Sequence, residues 1–245
     1  MKVGIPKETR HGETRVAATP DTVKKLHAQG LEVVVERDAG RAAHFHDAAY
    51  EAVGATIGTA AEALGADIVF KVHKPNDAET VQMKRGALLV SFMELCNVEG
   101  KLNGLAQAGV DAFALELVPR ISRAQAMDAL SSMATIVGCK AVLVAAEALP
   151  RIFPMLMTAA GTVAPARVFV IGGGVAGLQA IATARRLGAV VEAYDIRPAV
   201  KEQVASLGAR FVELPLEAAD AQDAGGYAKA MDESCCPRWS PRTTW

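Results

Sequence analysis

The sequence predicts an α/β protein of two doubly wound parallel-sheet domains joined by a long helix, the second domain incomplete. Three observations carry this expectation. Residues 1–120 alternate short β-branched runs with helical stretches, the pattern of a parallel sheet covered on both faces. A helical stretch then runs from Ala124 to Leu149, interrupted only by Gly138. From Arg167 a strand, a glycine-rich turn, a helix and a second strand follow one another before the alternation stops. At 245 residues, 51% apolar and 22% charged, the chain can bury a core for such a fold.

In chain order, Lys2 to Ile5 reads as a strand. Pro20 to Gln29 reads as a helix with Thr19 as its N-cap and Gly30 as its stop. Strands are expected at Leu31–Glu36, Thr56–Ile57, Asp67–Val72, Ala87–Phe92 and Asp111–Leu115. Helices are expected at Asp47–Val53, Ala60–Leu64, Asp77–Met83 and Val98–Ala108. Pro150, Phe153 and Pro154 end the long helix, which is a candidate strut between α/β units. The expected division is therefore 1–123 for the first α/β domain, 124–149 for the connecting helix and 150–233 for the second domain. Residues 234–245 form an aperiodic tail that holds both tryptophans. The tail reads as the end of a truncated or frame-shifted product, reached after the first half of a two-part fold.

The second domain carries the chemistry. Arg167–Ile171 is a run suited to a strand buried on both faces. Gly172, Gly174 and Gly177 follow it in the spacing G-x-G-x-x-G, ahead of an Ala-rich helix that stops at Gly188. The first glycine permits a tight turn, the second lets a diphosphate approach the backbone, and the third lets helix and strand pack closely. The helix start offers unpaired N–H groups and a partial positive charge. The next strand, Ala189–Tyr194, ends at Asp195, an acceptor about 20 residues on that suits the hydroxyls of an adenosine ribose. The set reads as a Rossmann-like dinucleotide site. Asp195 favours NAD(H), while Arg197 could pair with a 2′-phosphate. Pro198–Leu207 then reads as a helix and Arg210–Leu214 as a strand.

A net charge of −1 gives no basic footprint for nucleic acid. The start reads as a strand rather than a signal peptide, and no apolar run approaches a membrane span. Cys96, Cys139 and the pair Cys235–Cys236 form no C-x-x-C, so reduced thiols and no metal are expected. His44 and His46 could aim two imidazoles the same way, but no third ligand stands near them in sequence.

Two stretches carry a resemblance. One is Gly4-Ile5-Pro6-Lys7-Glu8 with Glu13-Thr14-Arg15-Val16-Ala17; the other is PRISRAQAMDALSS, from Pro119 to Ser132. With Thr158–Gly161, the glycine motif and Gly225-Gly226-Tyr227-Ala228-Lys229, the chain resembles the NAD(H)-binding domain of proton-translocating NAD(P) transhydrogenases, in bacteria the alpha subunit. The resemblance implies that NADH passes a hydride to NADP⁺ on a partner domain or beta subunit, coupled to proton movement through a membrane domain. It implies a homodimer that is cytoplasmic, spans no membrane itself and is held at the inner membrane by partner subunits. It carries catalytic positioning to Arg120, Gln125, Asp128 and Ser131. Cofactor contacts fall on Arg120, Ile121, Ser122, Arg123, Gly172, Gly174, Val175, Gly177, Asp195, Ile196 and Arg197, with Gly226 and Tyr227 on a closing loop.

Two alternatives stand beside this. An alanine dehydrogenase has the same plan, with a pyruvate-binding arginine matched by Arg15. Its lysine aligns with His73 and its histidine with Glu94, so the groups for reductive amination are replaced, although Lys74 could substitute by a one-residue shift. An inert nucleotide-binding fragment is the other alternative.

Overall fold

A computed structural model describes residues 1–94, 102–119 and 121–213. The chain divides into two compact units, Met1–Ala129 and Leu130–Trp245. Both are α/β with parallel sheets and Rossmann-like connections, as the alternating pattern predicts.

In the first unit, strands β1 (Lys2–Ile5), β2 (Glu32–Glu36), β3 (Thr56–Gly58), β4 (Ile68–His73), β5 (Leu88–Phe92) and β6 (Asp111–Ala114) form one sheet in the order β3-β2-β1-β4-β5-β6. All five pairings are parallel. Val3, Ile5, Val33, Val35 and Val69 are buried, which explains why these strands read as apolar runs rather than alternating ones. Helices α1 (Pro20–Ala28), α2 (Asp47–Glu51), α3 (Ala60–Leu64), α4 (Asp77–Thr80) and α5 (Asn103–Ala108) cover it. Thr19 caps α1. Thr59 with Glu62, and Asn76 with Glu79, form capping boxes that start α3 and α4. Helix α4 ends at Thr80, short of the expected Met83, and residues 95–101 lie outside the described set.

The strand order reverses between β1 and β4, and a buried charge cluster sits there. The β4–β5 ladder slips between Phe70 and His73. The carboxylate of Glu8, three residues past β1, accepts the N–H of Val72 at 2.6 Å and of His73 at 3.3 Å. Lys71 Nζ lies 3.0 Å from Glu79 and 3.7 Å from Glu8, and its side chain is 1% exposed. Each charge is compensated, as burial of an ion requires.

In the second unit, α6 (Ala129–Ala148) precedes a hairpin of β7 (Leu156–Thr158) and β8 (Gly161–Val163). Strand β9 (Arg167–Ile171), α7 (Val175–Arg186), β10 (Val190–Tyr194), α8 (Val200–Ser206) and β11 (Arg210–Phe211) follow. The described strands of the main sheet run β11-β10-β9, all parallel. Its core gathers Val142, Ile181, Val191, Ala193 and Val204.

Four expectations are corrected. The long helix does not begin at Ala124: Ser122–Met127 is a 3₁₀ turn, Asp128 breaks it at φ −76°, ψ 79°, and α6 begins at Ala129. That helix belongs to the second unit, where Val142 enters the core and Gly138 lies against the backbone of Ala176. Its 20 residues are long and apolar enough to cross a membrane by length and composition alone, with 11% of the most apolar stretch buried, because its small residues are apolar without being bulky. Finally, β9 is not buried on both faces: Val168, Phe169 and Val170 are half-buried and Ile171 is 78% exposed. Residues 214–245, with the expected tail, lie outside the described set.

Candidate functional site

The glycine loop forms where β9 ends. Gly172 takes φ +94°, a left-handed conformation that favours glycine, and its N–H donates to the Tyr194 carbonyl at 2.8 Å. Gly174 is the N-cap of α7, with no side chain capping that terminus. A Cβ built on Gly174 meets nothing within 4 Å, so the backbone there faces open space. A Cβ on Gly177 would stand 1.8 Å from the Gly172 carbonyl oxygen, so helix and turn touch through that glycine. These features fit a diphosphate: an open backbone approach, helix-start N–H groups and the positive end of the α7 dipole. Val175 is exposed beside them.

A ribose acceptor needs free lone pairs, and Asp195 has its own already engaged. Its side chain is 6% exposed. Oδ2 accepts the Gly173 N–H at 2.7 Å and Arg197 Nη2 at 3.1 Å. Oδ1 accepts the Arg197 backbone N–H at 2.8 Å and Nε at 3.0 Å. Burial pushes the Asp195 carboxyl up, but the donors of Arg197 and Gly173 outweigh it and hold the group below the usual carboxylate range. The paired carboxylate pushes Arg197 further up. Gly173, absent from the sequence expectation, thus ties the loop to the end of β10. Its signal is its place in three consecutive glycines, and a Cβ there would stand 2.2 Å from Val200. Ile196 is half-buried between the pair.

The remaining expected residues lie earlier in the chain. Ile121, Ser122, Arg123 and Gln125 are exposed at the 3₁₀ turn, and Asp128 is half-buried at its end. Ser131 lies in the first turn of α6, where its carbonyl accepts the Thr135 hydroxyl at 3.3 Å. Gln125 and Asp128 fall in the first unit and Ser131 in the second. Arg120, Gly226 and Tyr227 lie outside the described residues.

The first unit holds a second polar constellation at its β1/β4 reversal. In open α/β sheets this is where ligands bind, beyond the carboxyl ends of the strands. Arg15 pairs side-on with Glu13, at 2.8 and 2.6 Å, and Glu13 Oε2 lies 2.6 Å from His73 Nε2. His73 Nδ1 lies 3.0 Å from Arg10 and 3.4 Å from Glu94, and Arg10 also pairs with Glu94. Arg15 is therefore occupied by a neighbouring carboxylate, and Lys71 is locked by Glu8 and Glu79. Sequence reasoning misses Glu13 and Arg10; the signal for Glu13 is its position two residues before Arg15.

The Glu13 carboxyl is held at about 2, against an ordinary 4.5, chiefly by the hydrogen bond from Arg15. A carboxyl lowered on folding stabilises above its unfolded value and loses that contribution as pH falls through the folded one. Glu13→Gln is expected to destabilise the protein at pH 7 by about 2 kcal/mol, a value reduced for the partly exposed Arg15. The gap should close between pH 4.5 and about 2. Urea denaturation of both proteins at several pH values checks this; a gap that persists below pH 2 refutes it.

Comparison with known proteins places this geometry in a lineage. Residues 4–137 match the family model described as alanine dehydrogenase/PNT, N-terminal domain, and residues 141–234 match its C-terminal counterpart. The chain belongs to the alanine dehydrogenase/PNT family. Within that family it is 53% identical over 241 residues to an NAD(P) transhydrogenase subunit alpha of Rhodospirillum rubrum, covering 95% of this chain and 63% of that protein. It is similar to the crystal structure of a transhydrogenase from Sinorhizobium meliloti, with a TM-score of 0.85 and 52% identity over 87% of this chain and 64% of that one. An alanine dehydrogenase of Halomonas elongata is 34% identical, over 80% of this chain and 53% of the relative. The chain thus spans less than two thirds of the length of these family members.

Proposed function

We propose that the chain is the NAD(H)-binding component of an NAD(P) transhydrogenase. The observation that carries this is the glycine loop with its open approach at Gly174 and the buried acid at Asp195. Similarity to named transhydrogenase subunits supports the reaction, and the occupied state of Arg15 argues against an amino-acid dehydrogenase. The bound nicotinamide supplies the hydride. The residues do the rest: the first turn of α7 and Gly174 hold the diphosphate, and Asp195 receives the adenosine ribose.

In this reading Arg120, Ile121, Ser122 and Arg123 line the nicotinamide end. Gln125, Asp128 and Ser131 hold the ring in register with NADP(H) on a partner domain. Val175 and Ile196 flank the dinucleotide, and Gly226 with Tyr227 closes over it. Hydride transfer between two nicotinamides needs no general acid or base, so alignment and exclusion of water are the catalytic means. The partners are then a beta subunit or NADP-binding domain, a membrane domain that couples proton movement, and a second copy of the chain. The protein would lie on the cytoplasmic face of the inner membrane, attached through those partners.

Calorimetric titration with NADH and NAD⁺ tests the binding step. Heat of binding is expected with both, and turnover with an added NADP-binding partner domain. No heat on properly folded protein refutes the reading. NAD⁺-dependent oxidation of alanine would move the assignment to the amino-acid dehydrogenase branch.

A further inference from the structure

The saturation of Asp195 has a consequence for how a nucleotide enters. A carboxylate offers about four lone-pair positions. At Asp195 four donors fill them, two on each oxygen. Two are backbone N–H groups, of Gly173 and Arg197, and stay in place as long as the loop keeps its shape. The other two, Nε and Nη2, belong to one guanidinium, which grips Oδ1 and Oδ2 together. That guanidinium sits on a long side chain with rotatable bonds, so it can leave as a unit. Its departure frees one position on each oxygen. A ribose 2′,3′-diol carries two hydroxyl donors and needs the same two positions.

Building on the dinucleotide reading above, we propose that Arg197 is a built-in competitor for the adenosine ribose. Its side chain holds the two acceptor positions on Asp195 that the 2′- and 3′-hydroxyls take, and it swings away when they arrive. The ribose then contributes to affinity only the difference between its own hydrogen bonds and those of the guanidinium it displaces. Arg197 is a positioning residue that sets how strongly the site recognises the sugar, while Gly173 keeps the acid in place throughout.

The test uses ADP and 2′-deoxy-ADP, titrated by calorimetry into the full chain and into Arg197→Ala. The ratio of the two affinities within one protein isolates the 2′-hydroxyl, because both ligands report the same folded fraction. In the native protein the ratio should lie within about twofold of unity, since the hydroxyl only replaces an existing bond. In Arg197→Ala it should rise to roughly tenfold in favour of ADP, the weight of one hydrogen bond to a charged group, with ADP itself binding more tightly. Arg197→Lys, with a single-point donor, should fall between the two. An unchanged ratio in Arg197→Ala, or a parallel loss of both ligands, overturns the competitor role while leaving the dinucleotide site standing. Failure of ADP, NADH and NAD⁺ alike to bind the native chain overturns the site itself, and the competitor with it.

Discussion

Gly174→Ala is expected to fold as the native chain does and to bind NADH about a hundredfold more weakly, a loss near 2.7 kcal/mol. The added methyl meets no protein atom within 4 Å, and the native φ of −75° suits any residue. It stands where the diphosphate must come against the backbone at the start of α7, so it costs the complex and not the fold. Gly177→Ala supplies the contrast. There the new Cβ is 1.8 Å from the Gly172 carbonyl oxygen, and neither backbone can yield cheaply. Overpacking of this kind costs about 3 kcal/mol and should lower the melting temperature of the second unit as well as its affinity. Thermal melts and calorimetry on the two variants separate a ligand approach from a packing contact. Equal melting losses in both, or full NADH affinity in Gly174→Ala, would remove the phosphate reading of this loop.

Gln125→Ala and Asp128→Ala should slow hydride transfer by about a hundredfold, the effect of misplacing a reacting group by an ångström. NADH affinity should change only a few-fold. Gln125 is exposed on the 3₁₀ turn, where its amide can reach a second nucleotide, and Asp128 sits half-buried at the turn's end. Single-turnover transfer with the NADP-binding partner, set beside an NADH titration, reads the two effects separately. Equal losses in rate and affinity would make these residues ordinary binding contacts.

The sequence is most readable where structure follows from neighbours. The glycine turn, α7 and β10 lie as expected because their signals are local: glycine spacing, a helix stop and a β-branched run. Thr19, Thr59 and Asn76 announce their helices for the same reason. The start of α6 misleads because Ala124 to Met127 has good helical composition, while Asp128 prefers cap and turn geometry and takes ψ 79°. The hairpin β7–β8 is invisible because its turn lacks an Asn-Gly or Asp-Gly pair. Thr158 makes the turn instead, its hydroxyl accepting the Ala160 N–H and donating to the Gly161 carbonyl. The role of Asp195 is half-legible: its place at the strand end is a spacing rule, whereas its grip on Gly173 joins residues 22 positions apart. The polar groups around His73 are least legible, since Arg10, Glu13 and Glu94 meet it only across separate elements.

The interior ion cluster of the first unit also bears on how its sequence can change. Glu8, Lys71 and Glu79 come from three distant segments, yet the lysine has its charge answered only while both acids stay. A stepwise path through one neutral replacement strands a bare ion in the core. The three positions therefore behave as a single heritable character. Anyone grafting the first β-strand region of this chain onto a relative must carry the β4 and α4 segments along with it, or exchange none of them.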